Sequence, residues 1–178
     1  MTAGTGGVEV SGEEVVSLRD GTPVVVRPIR PDDAARLERM FYRLSPTTLY
    51  RRFFTLVDHP EPEQIQHLVN VDHDRRLAFV ALVDDEIVGV ARCDRVADGS
   101  EAETALVTAD AWQRRGVATV LLRRLAAAAA ARGVAALVGT VLGENRPVFR
   151  LVRRLSADTR IEAVDVEYRF RVPLPAQG

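Results

Sequence analysis

Apolar and polar positions along the chain change period several times, and each change marks an element. VVSL and PVVVRPI flank Arg19-Asp20-Gly21-Thr22, which predicts two extended segments joined at an Asp-Gly turn. From Pro31 the spacing becomes helical: Ala35, Leu37, Met40, Phe41 and Leu44 form a stripe, Pro31 fits the first helical position, and Asp32 and Asp33 fit the positive end of the helix. Ser45-Pro46 restarts the chain into a second helical piece, TTLYRRFFTL, and Pro60 to Val69 gives a third.

Beyond Arg76 the pattern is that of strands. LAFVALV and IVGVARC form a hairpin around Asp84-Asp85-Glu86, and Glu101 to Thr108 follows the Asp98-Gly99-Ser100 turn. Val117, Val120, Leu121 and Leu125 then recur at helical spacing until Gly133 ends the helix. ALVGTVL from Ala136 reads as a strand buried on both faces, Asn145 to Leu155 as a short helix, and IEAVDVEYRFRV as one last alternating strand. The expected class is α+β: a mixed, largely antiparallel twisted sheet flanked by helices, in one domain over residues 14–175. Residues 1–13 hold few large apolar groups and are expected to form a flexible tail.

Composition removes several functions. Twenty-four basic against 25 acidic residues leave a net charge of −1, so no global field attracts nucleic acid or an anionic membrane. The longest small-residue run, six alanines from Ala126, is bounded by Arg124 and Arg132 and is far short of the roughly 20 residues that span a bilayer. The N-terminus lacks the basic and apolar regions of a secretory signal, and the single cysteine, Cys93, has no intrachain partner, so a cytoplasmic location is expected. Every basic residue is arginine: a GC-rich coding bias accounts for this, and an enzyme that handles lysine side chains without modifying itself is the competing reading. His59, His67 and His73, with Asp58, Asp72 and Asp74, match no zinc spacing, and no metal is expected.

The stretch DAWQRRGVATVLLRRL sets two cations at a helix start, where unpaired amides already contribute roughly +0.5 charge. Gly116 lets the backbone approach a ligand closely and Ala118 leaves space, so Arg114 and Arg115 await an anion, and a pyrophosphate fits. The P-loop requires a lysine that the chain lacks, and the dinucleotide fingerprint requires glycines and an acid that are absent.

QRRGVA, after a strand and opening a long helix, matches the (Q/R)xxG-x-(G/A) signature of the GNAT superfamily of acetyl-CoA-dependent N-acetyltransferases. The wider line, RPIRPDDAARLERMFYRLSPTTLYRRFF, VDHDRRLAFVALV, EAETALVTADAWQRRGVATVLL and VLGENRPVFRLVRRL, resembles the bacterial subgroup of Pat-type protein lysine acetyltransferases over about residues 15–172. The resemblance implies the GNAT, or acyl-CoA N-acyltransferase, fold, with the sheet splayed between the strand ending near Thr108 and the strand starting near Ala136. It implies that the amides of Arg114, Arg115, Gly116, Val117, Ala118 and Thr119 hold the coenzyme A pyrophosphate, with Gln113 opening the loop. It further implies that Leu106, Val107 and Thr108 pair through their main chain with the pantetheine arm. Asn145 matches the family asparagine near that arm, and an ordinary helix cap is the other reading.

Acetyl transfer needs a neutral amine. A lysine with a pKa of about 10.4 costs roughly 4.6 kcal/mol to deprotonate at pH 7, so a placed base must assist. The resemblance assigns that role to Glu103, with Glu101 two residues away on the same face, and assigns polarisation of the thioester carbonyl to a strand amide near Val107. Direct transfer, without a covalent intermediate, is implied. Many relatives carry a tyrosine seven residues after the asparagine, but here Val152 stands there, and Leu155-Ser156-Ala157 replaces the usual Leu-Gly-Phe. That leaves Tyr42, Tyr50, Tyr168 or water to protonate the leaving thiolate. The implied partners are acetyl-CoA and an amine acceptor, such as a lysine on an acyl-CoA synthetase. The alternatives are a small-molecule amine acetyltransferase, a non-catalytic acyl-CoA sensor, or an interaction module. Arg146, Arg150, Arg153 and Arg154 form a basic face that could reach the coenzyme's 3′-phosphate or be solvated.

Overall fold

The computed structural model describes residues 12–53, 59–97 and 99–176. The expected tail falls almost wholly outside them, as do Phe54 to Asp58 and Asp98. The first turn forms as its sequence requires: the Asp20 carboxylate accepts the Thr22 amide at 3.0 Å and joins β1 (Glu14–Ser17) to β2 (Pro23–Pro28). Next come a 3₁₀ turn, Pro31–Asp33, and three helices, α1 (Ala34–Tyr42), α2 (Pro46–Phe53) and α3 (Pro62–Val69). β3 (Arg76–Val83) and β4 (Glu86–Arg95) are joined by Asp84 and Asp85, whose φ values of +49° and +64° give the mirror-image turn that suits strand twist. β5 (Glu101–Thr108), α4 (Val117–Ala131), β6 (Ala136–Leu142), α5 (Arg146–Arg153), β7 (Arg160–Val164) and β8 (Glu167–Pro173) complete the order.

Among the described residues the strands form one sheet in the order β1-β2-β3-β4-β5-β6-β8-β7. Every pairing is antiparallel except β5 with β6. Two apolar layers cover it. Leu121, Leu125 and Ala128 of α4 pack with Phe79, Ala91 and Phe170 on one face. On the other, Leu37, Met40, Leu49 and Ile65 of α1–α3 pack against Val80, Val90 and Val107. This is the α+β architecture that the hydrophobic pattern predicted, a mixed, mostly antiparallel sheet with helices on both faces. No helix among the described residues is long and apolar enough to cross a membrane.

Four expectations need correction. The last alternating run is a hairpin, not one strand: Asp165 turns at φ +55° and exposed Val166 keeps the apolar alternation unbroken through the turn. β6 is not buried on both faces, because Val138, Thr140 and Leu142 are only half-covered where the sheet opens. Ala35 is exposed and Ala34 takes its place against the core.

Asp33 is not simply an acid at a helix start. It is fully buried and receives both η nitrogens of buried Arg27 at 2.7 Å and the Arg30 amide at 2.8 Å, tying the end of β2 to the start of α1. Burial raises the Asp33 pKa, yet the hydrogen bonds from Arg27 and Arg30 outweigh it and the net shift is downward. Such a carboxylate contributes stability that is complete above its unfolded pKa, about 3.9, and is lost as pH falls through its lower folded value. Asp33→Ala leaves buried Arg27 without its hydrogen-bonded carboxylate and with only exposed Glu13 at 3.8 Å among the described residues, and should cost about 3–5 kcal/mol in urea unfolding. The wild type should lose stability below about pH 3.9 more steeply than Asp33→Asn, which has no proton to take up.

Candidate functional site

β5 and β6 pair for three residues only, Glu101–Ala136, Ala102–Leu137 and Glu103–Val138. Beyond Glu103 the two strands diverge. β5 continues along β4 to Thr108 while β6 follows β8, so one edge of residues 104–108 has no strand beside it. Gly139 stands at the parting. A Cβ there would lie 2.5 Å from the ring of Phe170 and 3.1 Å from the Thr104 carbonyl, so the ring occupies the space that any other residue would fill. A cavity of about 290 Å³ opens in the fork, lined by Glu103, Thr104, Leu106, Thr140, Asn145 and Val152 among others.

The loop after β5 is fixed from two sides. Asp110 accepts the Ser45 amide at 2.9 Å and the Ser45 and Thr48 hydroxyls at 2.7 and 2.8 Å. Partial burial pulls its pKa up, but these donors prevail and the net shift is downward. Gln113 donates to the Thr48 hydroxyl and to the Thr108 carbonyl, both at 3.2 Å, which locks the loop to the end of β5. Arg114 at φ +60° and Gly116 at +103° are both left-handed. For a non-glycine residue that conformation is uncommon and gathers at functional loops. The first bond of α4 runs from the Val120 amide to the Gly116 carbonyl, so the amides of Val117, Ala118 and Thr119 precede any intrahelical acceptor. Backbone of this kind, at the positive end of a 15-residue helix, suits an anion.

Arg115 does not wait for that anion. It binds the Asp20 carboxylate at 2.6 Å and the Thr22 hydroxyl at 3.0 Å, and lies 4.0 Å over the Trp112 ring. Hydrogen bonds from Thr22 and Arg115 hold the Asp20 pKa down at about 2. The pair fastens the loop to the β1–β2 turn, and the Arg114 side chain is the exposed one.

Of the residues singled out from the sequence, Glu103, Leu106 and Asn145 line the cavity, whereas Val107, Thr108 and residues 113–119 do not. The Val107 side chain belongs to the core beneath α1–α3, and its main chain pairs with Val90 of β4. Backbone groups alternate between the two edges: the Ala109 amide bonds the Val88 carbonyl and the Ser100 carbonyl takes the Ala135 amide, so Leu106 and Thr108, not Val107, present their main chain to the open edge. Asn145 holds the position before α5 but makes no side-chain capping bond, leaving its amide free in the cleft. Glu101 is engaged by Arg171 at 2.6 Å, while Glu103 has no ion pair among the described residues. Tyr42, Tyr50 and Tyr168 do not line the cavity: Tyr42 stacks on His59 and Tyr168 packs on Phe149. Cys93 is buried in the α4 core and burial pushes its thiol up to about 12, so no thiolate is available at neutral pH.

The sequence reading missed the far side of the cavity, which is lined by Arg51, Arg52, Arg92 and Asp94. Arg92 is 7% exposed and lies 3.7 Å from Asp94, and burial together with the charge of Arg92 brings Arg52 down to about 10. The available signal was Arg92 and Asp94 sharing a face with Val90 in a strand that is apolar from Ile87 to Ala91. Charged residues at such positions rarely go unused.

Residues 41–156 match the model of the acetyltransferase (GNAT) family. Acetyltransferase PA5475 of Pseudomonas aeruginosa is 36% identical over 115 residues, covering 62% of each chain. The GNAT domain of PAT from S. lividans superposes with a TM-score of 0.85 at 31% identity, over 91% of this chain and 97% of that one. YncA of Salmonella typhimurium, solved with acetyl-CoA, superposes at 0.70 with 16% identity, over 86% of this chain and 95% of that one, and shares the fold. The chain spans less than two-thirds of the length of the curated relatives it matches.

The fork makes a direct prediction. Gly139→Ala drives a methyl group into Phe170 and should destabilise the protein by about 1–3 kcal/mol, read as a lower melting temperature. Adding Phe170→Leu should recover part of that loss; equal loss in the double variant would show that the ring is not what Gly139 accommodates.

Proposed function

The chain belongs to the GNAT family of acetyltransferases, and from that premise we propose that it moves an acetyl group from acetyl-CoA directly to a primary amine, with a protein lysine as the acceptor. The observation that carries the reading is the fork, which exposes one edge of β5 between Glu103 at its apex and the unpaired amides of α4 beyond its far end. Residues 104–108 rise about 17 Å, the reach of an extended chain lying against a sheet edge. In this reading the amides of residues 114–119 hold the pyrophosphate, and of the segment Leu106, Val107 and Thr108 the main chain of Leu106 and Thr108, which faces the open edge, holds the pantetheine. Gln113 keeps the loop in place through Thr108, and the free Asn145 amide meets the same arm from α5. When bound, acetyl-CoA supplies an activated thioester. A strand amide near Val107 polarises its carbonyl, so no side-chain substitution removes that contribution.

Glu103 takes the proton from the incoming ammonium, directly or through water, where the roughly 4.6 kcal/mol cost of a neutral lysine at pH 7 falls. With Val152 in place of the usual tyrosine and no tyrosine in the cavity, solvent water returns the proton to the leaving thiolate. The resemblance of the sequence to Pat-type protein lysine acetyltransferases favours a lysine acceptor, and the chain, having no lysine, offers no ε-amine of its own.

Thiol release from acetyl-CoA with a lysine peptide tests the proposal. Glu103→Gln should lower kcat/KM by roughly 10²–10⁴ at neutral pH while coenzyme A binding by calorimetry is retained. Gly116→Val, forced into left-handed backbone, should weaken coenzyme A binding itself. Full activity in Glu103→Gln would remove the base assignment; absence of coenzyme A binding to the wild type would remove the enzymatic reading.

A further inference from the structure

The cationic wall of the cavity is unbalanced. Arg51, Arg52 and Arg92 line it with Asp94 as their nearby acid, apart from Glu103. Arg92 and Asp94 stand 3.7 Å apart, longer than a hydrogen bond, and Asp94 Oδ1 is shared at the same 3.7 Å with Arg76 and has no hydrogen-bond partner among the described residues. Arg92 otherwise donates only to the Leu68 carbonyl at 3.4 Å, and Arg52 makes no ion pair among the described residues. Arg51 pairs through its Nε with exposed Glu144 at 3.8 Å, beyond hydrogen-bond reach, and that Nε has no hydrogen-bond partner among the described residues. Taking a guanidinium out of water without a matched acceptor costs free energy, so a nine-tenths-buried Arg92 in one cavity with a half-buried Arg52 suits an anion entering it.

The register says which ligand that anion belongs to. Asp94 lies opposite Glu103 and Arg92 opposite Ala105, so Arg92 and Glu103 are diagonal neighbours on one face, about 7–8 Å apart across the ladder. The phosphates of a coenzyme held at residues 114–119 lie at the other end of β5, more than roughly 10 Å of strand beyond Ala105. The anion is therefore part of the acceptor, beside the amine that meets Glu103.

We propose that Arg92 and Arg52 form an acceptor-recognition site selecting lysines with an acidic residue next to them in the substrate protein. This rests on the lysine reading above and names its substrate class. Arg92 contacts the flanking carboxylate from β4 and Arg52 from the end of α2. Both are specificity determinants and neither touches the reacting carbonyl.

The test uses the intact protein, acetyl-CoA and three peptides identical except for aspartate, alanine or arginine on both sides of one lysine. The aspartate peptide should exceed the arginine peptide in kcat/KM by roughly tenfold to a hundredfold, as charge-assisted hydrogen bonds imply. In Arg92→Gln and in Arg52→Gln that ratio should fall toward one, and in Arg52→Glu it should reverse. Because both peptides are measured on the same preparation, partial loss of folded enzyme leaves the ratio unaltered; should Arg92→Gln fail to fold, the Arg52 variants carry the reading. Equal rates on all three peptides, or a ratio that survives in the variants, overturns the inference and leaves the acetyltransferase reading standing. No transfer to any peptide overturns the lysine reading, and the inference with it.

Discussion

The structure depends on how soon β5 and β6 stop pairing. A parallel ladder of three residues is too short to hold two strands together along their length, and the next position on β6 is Gly139, over which the Phe170 ring lies. The ring fills the space where a longer ladder would place a side chain. From there β6 is held by β8 and β5 by β4. An exposed strand edge inside a domain leaves unpaired amides and carbonyls, which invites another chain or a ligand with peptide-like groups. Here residues 104–106 of that edge line a cavity together with side chains of α2, α4 and α5, a setting that suits an extended ligand.

Arginine serves three distinct electrostatic purposes in this chain. Arg27 is matched by a buried carboxylate through a two-pronged contact and fixes the passage from β2 to α1. Arg115 meets Asp20 near the surface, where the pair is worth little in stability but sets the position of the anion-binding loop. Buried Arg92 and half-buried Arg52 have no equivalent match among the described residues. The first two arrangements close on themselves, so the imbalance of the third separates a binding surface from structural pairing.

Much of this was legible in the residues and some was not. The hairpins, the amphipathic helices and the glycine loop follow from turn chemistry and spacing, since each is local. The break between β7 and β8 was hidden because Val166 continues the alternation through a turn marked only by Asp165, which tolerates left-handed backbone. The partners of Asp33 and Arg115 were hidden for another reason. A helix start flanked by charges looks the same whether the counter-charge is a ligand, a dipole or a residue 95 positions away, as it is between Asp20 and Arg115. Among the site residues, Glu103, the loop and Asn145 came from a motif, whereas Arg52 and Arg92 belong to no motif and come together only when α2 packs against β5 and β4.

One extra residue in β4 sets which face those charges occupy. Gly89 pairs with Ala81 and Ile87 with Leu82, so Val88 is a bulge. Ile87 lies in the core under α1–α3, Val88 in the core under α4, and the missing Cβ of Gly89 also points at Leu121 and Val117 of α4. After the bulge the phase is fixed: Ala91 and Cys93, both small, face α4, while Val90, Arg92 and Asp94 face the other way. Removing the extra residue would turn one end of the strand over relative to the other, because side chains alternate with period two. Either Ile87 would leave its core, or Arg92 and Asp94 would be driven under α4, where only apolar side chains wait. The same bulge therefore keeps the β3–β4 hairpin in its core and the two charges on the face that Glu103 occupies.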